Sequence, residues 1–119
     1  MKAIRLHARG LERDVLLVVM GEMSHTPKLS NFKGRPGREH WSRSMSIFLS
    51  GGGMRMGQVV GSTNHKGEEP RDRPVTPGDF LATLYRHLGI DWKAHFPDHS
   101  GRPVPILPHG QPIHELTGA

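Results

Sequence analysis

The sequence predicts an α/β fold organised around one buried parallel strand, and three observations carry that expectation. Asp14 to Met20 (DVLLVVM) is a continuous apolar, β-branched run without alternation, the pattern of a strand covered on both faces. Thr76 to Leu88 has the end signals and apolar stripe of an amphipathic helix. Fifteen glycines and ten prolines punctuate the remainder, so much of the chain should be loop.

Taken in order, residues 2–9 carry Ile4 and Leu6, with Ala3 and Ala8, among basic residues, and Gly10 follows as a left-handed cap, which predicts a short helix. The buried strand comes next. SIFLS and GQVVGST are two further strand candidates, a hairpin-like pair joined by GGGMRM with the triple glycine as its turn. In VTPGDFLATLYRHLG, Thr76 is the N-cap, Pro77 the first helical residue, Asp79 the third, and Gly89 lies just past the end. Phe80, Leu81, Leu84 and Leu88 form its expected apolar stripe. Pro103, Pro105, Pro108 and Pro112 make the remainder an extended tail laid on another surface. There is no internal repeat. A lone parallel strand needs neighbours on both sides, so residues 1–119 read as a single partial domain of a larger α/β protein, with further segments or oligomer contacts needed to complete the sheet.

A hydrophobic fraction of 34% allows only a thin core. The sequence has no run long enough to span a membrane and no secretory signal at its start. Without cysteine, any metal must be held by His, carboxylate or backbone oxygen. The net charge of +5 is uneven: residues 1–60 hold 10 Lys/Arg against 4 Asp/Glu, and residues 61–119 hold 6 against 7. This excess favours an anionic partner, nucleic acid or a small phosphate or sulfate ester. A nucleic-acid module would explain the charge, but the basic stretch has only Phe32 and Trp41 for stacking and no zinc-finger, RNP or helix-turn-helix signature, so no sequence-specific nucleic-acid binding is expected.

The chemistry-bearing stretch is VVMGEMSHTPKLSNFKGRPGREHW, Val18 to Trp41. Ligands of open α/β sheets bind beyond the carboxyl ends of strands, where Glu22 falls. Glu22 and His40 can converge on a divalent ion, zinc, magnesium, manganese or calcium, if the loop folds back, with His25 and Arg38 in reach of an anion. The competing reading makes Glu22 a cap or ion-pair partner and the loop a solvated connection. The other seven histidines show neither an i, i+4 pair on a helix nor an HExxH arrangement. Gly52 and Gly57 have phosphate-loop spacing, but Gln58 and Val59 stand where Lys and Ser/Thr are required, which excludes a nucleotide site of that type.

Five separated blocks, DVLLVVMGEMSHTPKLSN, GREHW, LSGGGMRMGQVVGST, DRPVTPGDFLATLYRHLGID, and GRPVPIL with GQPIHEL, together resemble the C-terminal part of a bacterial sulfatase-like family in the alkaline phosphatase-like superfamily, whose members carry a domain of unknown function. In that family the first site block reads Glu-Phe-Gly-Arg-Thr-Pro and the second Gly-Arg-Asp-His-Trp. Here Met23, Ser24 and His25 replace Phe-Gly-Arg, and Glu39 replaces Asp. The resemblance implies an alkaline phosphatase-like sheet flanked by helices, with Glu22 and His40 as metal ligands. It further implies a metal-dependent hydrolase of phosphate or sulfate esters whose nucleophile lies in N-terminal segments without a counterpart here. The chain would then be an inactive C-terminal fragment, and complete members would be exported. The alternative is a non-catalytic binding or interaction protein of the same fold.

Overall fold

A computed structural model describes residues 2–118. In chain order it contains α1 (Lys2–Ala8), β1 (Leu16–Val19), β2 (Ser24–His25), β3 (Ser30–Phe32), β4 (Arg35–Gly37), β5 (His40–Trp41), β6 (Phe48–Gly51), β7 (Ser62–Thr63), β8 (Pro70–Asp72), α2 (Pro77–His87), β9 (His95–Pro97), β10 (Pro103–Pro105) and α3 (His114–Thr117). The strands form five separate antiparallel two-stranded sheets, β1 with β6, β2 with β5, β3 with β4, β7 with β8, and β9 with β10. The expected α/β architecture, an alkaline phosphatase-like sheet flanked by helices, is therefore incorrect for this chain.

The apolar run does form a strand, but it is neither parallel nor buried on both faces. Leu16 to Val19 pair antiparallel with Gly51 to Phe48, and Val19 is 56% exposed. An unalternating apolar run specifies burial, not the direction of a partner, and the partner within reach is β6. The expected hairpin of SIFLS with GQVVGST is likewise replaced. Gly51, Gly52 and Gly53 all have positive φ and turn the chain over the segment before β1, where the Gly52 amide donates to Val15 and the Gly53 amide to Glu12. A Cβ on Gly51 would overlap the Val15 carbonyl, so glycine is required there. Of GQVVGST only Ser62 and Thr63 are extended, and they pair with β8.

Both well-formed helices end as their sequences dictate. Past α1, the Gly10 amide donates to His7 and the Leu11 amide to Leu6; past α2, Gly89 donates to Arg86 and Ile90 to Tyr85. These are the paired bonds of a Schellman closure, with glycine in the left-handed region. At the other end of α2, Thr76 Oγ1 accepts from the Asp79 amide at 3.1 Å and the Asp79 carboxylate accepts from the Thr76 amide at 2.9 Å, a complete capping box.

The small core lies between α2 and the C-terminal tail. Phe80, Ala82, Ile113 and Leu116 are its buried apolar residues, and Thr83 is fully buried. The Thr83 hydroxyl donates to the Asp79 carbonyl at 2.7 Å and accepts from the Ile113 amide at 2.9 Å, so this buried hydroxyl is satisfied while it anchors the tail. The expected stripe is corrected in part: Phe80 is buried, but Leu81 is 37% and Leu88 66% exposed. The tail rests on α2, and backbone meets backbone at Gly78 and Gly110, where a Cβ on either would overlap the other strand of the contact.

The radius of gyration is 17.8 Å, against about 13.5 Å for a compact domain of this length, and the extents are 53 × 48 × 26 Å. The chain is a flat, open arrangement with a small well-packed end.

Candidate functional site

The loop singled out in the sequence is a nested hairpin rather than a featureless connection. At its tip, β3 and β4 are joined by Lys33 and Gly34, with φ of 51° and 77°, which meets the requirement of a type I′ turn for two positive φ values. The Lys33 ammonium lies 5.3 Å from the centre of the Phe32 ring, and Arg35 follows at the start of β4. Continuing the β3–β4 register outward would place His25 opposite Ser42. The outer ladder is instead shifted by two residues and pairs His25 with His40 and Ser24 with Trp41.

Thr26 holds this outer ladder in place. Its amide donates to the Glu39 carbonyl at 2.8 Å, its hydroxyl accepts from the Glu39 amide at 3.2 Å, and the hydroxyl donates to the Lys28 carbonyl at 3.0 Å. His25 and His40 consequently stand directly across from one another, with ring centroids 6.2 Å apart and planes inclined by 65°. Both are exposed. A zinc–nitrogen bond of about 2.0–2.1 Å puts the centroid of a ligating ring about 3.2 Å from the ion, so two rings at the tetrahedral angle stand about 5.2 Å apart. The pair is about 1 Å wider than that, so the rings must close on one another to share an ion.

Glu22 is exposed in a bend two residues before β2, and Arg38 is exposed between β4 and β5. Among the described residues, no three or more His, Asp or Glu side chains are grouped to hold a metal. The structure thus brings together His25 and His40, which the sequence reading had placed in different roles, the first on an anion and the second on a metal. The Lys33-Gly34 turn signals that the loop closes on itself, but its register alone would set His25 opposite Ser42.

Trp41 connects this site to the β7–β8 sheet: its indole Nε1 donates to the Glu68 carbonyl at 2.7 Å. Arg43 stacks 5.5 Å from the Trp41 ring centre and forms an ion pair with Glu69. Both partners of that ion pair are largely exposed, so its contribution is below about 1 kcal/mol. Farther along, Arg73 makes a forked contact to Glu115, and that hydrogen bonding holds the Glu115 carboxyl below the usual carboxylate range. Burial pushes the Asp79 carboxyl up, but the amides of Gln111 and Thr76, the Thr76 hydroxyl and the charge of Arg73 together outweigh it and hold Asp79 below its ordinary value.

Two open clefts lie elsewhere among the described residues. One, of about 540 Å³, is mainly apolar and lies on the β9–β10 hairpin around Phe96, Val104 and Ile106. The other, of about 430 Å³, lies between the glycine turn and the end of α2. Neither is lined by Glu22, His25, Arg38 or His40.

No curated protein and no solved structure matches this chain. The expected membership of a sulfatase-like, alkaline phosphatase-like family is corrected by the family comparison, in which the match extends over residues 3–117 and is to a different description. On that match the chain belongs to the family described as Protein of unknown function (DUF1501).

Proposed function

We propose that the chain supplies half of a divalent-metal site and a cationic anion-contacting loop to a metal-dependent hydrolase of phosphate or sulfate esters, and that it has no hydrolytic activity by itself. The observation that carries this reading is the His25–His40 pair, two exposed imidazoles held opposite each other in one ladder, about 1 Å wider apart than a tetrahedral zinc ion requires. Imidazole pairs suit zinc better than magnesium or calcium, which take oxygen ligands. Two ligands leave a zinc site incomplete, since catalytic sites use three protein ligands with water. Glu22, close by in sequence, is the proposed contributor to a third position when other protein packs on the loop. A bound divalent ion supplies Lewis acidity for ester cleavage. In this reading His25 and His40 hold the ion, while Arg38 takes up the charge of the ester, a task suited to its planar fork of donors.

Isothermal titration with zinc tests the reading. The chain should bind one equivalent weakly, the His25→Ala and His40→Ala variants should each lose the heat signal, and Glu22→Gln should weaken it less. Equal binding by all four proteins would sink the proposal. The same preparation should release no product from an aryl phosphate or aryl sulfate.

A second reading, a non-catalytic interaction protein, is favoured by the exposed apolar surface. Val59 is 93%, Phe32 69% and Leu29 67% exposed, and Glu12 Oε2 and Trp92 Nε1 are covered from solvent without a hydrogen-bond partner. Zinc binding that leaves the histidines untouched, together with stable association through these side chains, would favour it.

A further inference from the structure

The cleft of about 430 Å³ between the glycine turn and the last turn of α2 is lined by Arg13, Asp14, Gly52, Gly53, Arg86 and His87, among others. Four separate parts of the chain build it. Arg13 and Asp14 come from the segment between α1 and β1, the two glycines from the turn after β6, Arg86 and His87 from the end of α2, and Leu116 and Thr117 from α3. Gly52 belongs there for steric reasons: with φ of 68°, a Cβ on it would press on the His87 ring at 3.2 Å.

Arg13, Arg86 and His87 share this lining with one acidic residue, Asp14. No ion pair among the described residues involves Arg13 or Arg86. The bland explanation for a basic last turn is complementarity with the helix dipole and its orphan carbonyls. Here the Gly89 and Ile90 amides already satisfy the carbonyls of Arg86 and Tyr85, so the Arg86 guanidinium is not needed as a cap. The amides of Gly52 and Gly53 are also committed, to Val15 and Glu12, so recognition falls to the side chains.

We infer that this cleft is a binding site for a small molecule bearing a phosphate or sulfate group, with the oxyanion between Arg13 and Arg86 and His87 donating a further hydrogen bond. Guanidinium forks match the geometry of such oxygens, and the cleft volume falls in the range of small-molecule sites. The site is independent of the His25–His40 pair, and neither inference rests on the other.

The test is a titration of the full chain with inorganic phosphate at low ionic strength, followed by amide chemical shifts. Saturable shifts should concentrate at residues 13–14, 52–54 and 86–87. Arg13→Gln and Arg86→Gln should each weaken binding about tenfold, the loss of one charge-assisted contact. Both residues are exposed, and a spectrum superimposable on that of the parent will show that each variant keeps its fold. Lys93→Gln, which removes an exposed cation outside both the cleft and the loop, should leave the affinity unchanged. Absence of a saturable response, a response confined to residues 28–43, or an affinity indifferent to both arginine variants would each overturn the inference. A response confined to residues 28–43 would place phosphate recognition on the basic loop alone.

Discussion

The segment from Thr76 to Gly118 and the segment from Glu22 to Arg43 are built on opposite principles. In the first, local codes and long-range bonds coincide: the Asp79 carboxylate that completes the capping box also accepts from the Gln111 amide at 2.9 Å, and buried Thr83 ties helix to tail. In the second, strands of two or three residues pair only within the loop, and nearly every side chain is exposed. The chemistry-bearing His25, Arg38 and His40 therefore sit on the more adaptable part, while the rigid part carries none of them. Low local stability is common where a segment must accommodate a ligand or partner.

The largest effect that could break this comparison is expected at Gly78. Its Cβ would overlap the His109 carbonyl, so Gly78→Ala should force the tail off α2 at a cost of about 1–3 kcal/mol or more, read from the urea midpoint. Thr83→Val should follow at about 1–3 kcal/mol, because the Ile113 amide is left buried without an acceptor. Faster hydrogen exchange at Ile113 would identify the cause. A change below about 0.5 kcal/mol for both would show that helix and tail are not one unit.

Acid gives a smaller effect of definite sign. The Asp79 carboxyl is held below its ordinary value in the folded chain, so its contribution is fully present above the unfolded aspartate value and is lost as pH falls through the lower folded one. Acid unfolding of the α2–tail unit should accordingly be resisted until below the ordinary aspartate range, and Asp79→Asn should remove that dependence. The smallest effect is expected in the loop. Thr26→Val removes the acceptor for the Glu39 amide at an exposed ladder, and should change global stability by less than about 1 kcal/mol while loosening the His25–His40 register.

The same contrast governs what the sequence revealed. Helix α2 was legible because Thr76, Pro77, Asp79 and Gly89 all mark its limits, and the structure realises each signal. The end of α1 at Gly10 was legible for the same reason. The direction of β1 was not, because the six apolar residues from Val15 to Met20 carry no record of their partner. Val59 and Val60 misled in the opposite way: flanked by Gly57 and Gly61, at φ of 77° and 80°, they are not in a strand, and Val59 is almost fully exposed. The histidine pairing was hidden twice over, first by the unrecognised Lys33-Gly34 turn and then by a two-residue register shift that no local propensity dictates. The arginine-lined cleft was illegible because its walls come from positions far apart in the chain.

The claim that His25 and His40 act as one ligand pair is most directly tested by following their ring nitrogens by NMR during a zinc titration at neutral pH. Both imidazoles should shift together with a single one-to-one isotherm, and His25→Ala should abolish the response at His40. Independent isotherms at the two rings, or a His40 response that survives the loss of His25, would contradict it.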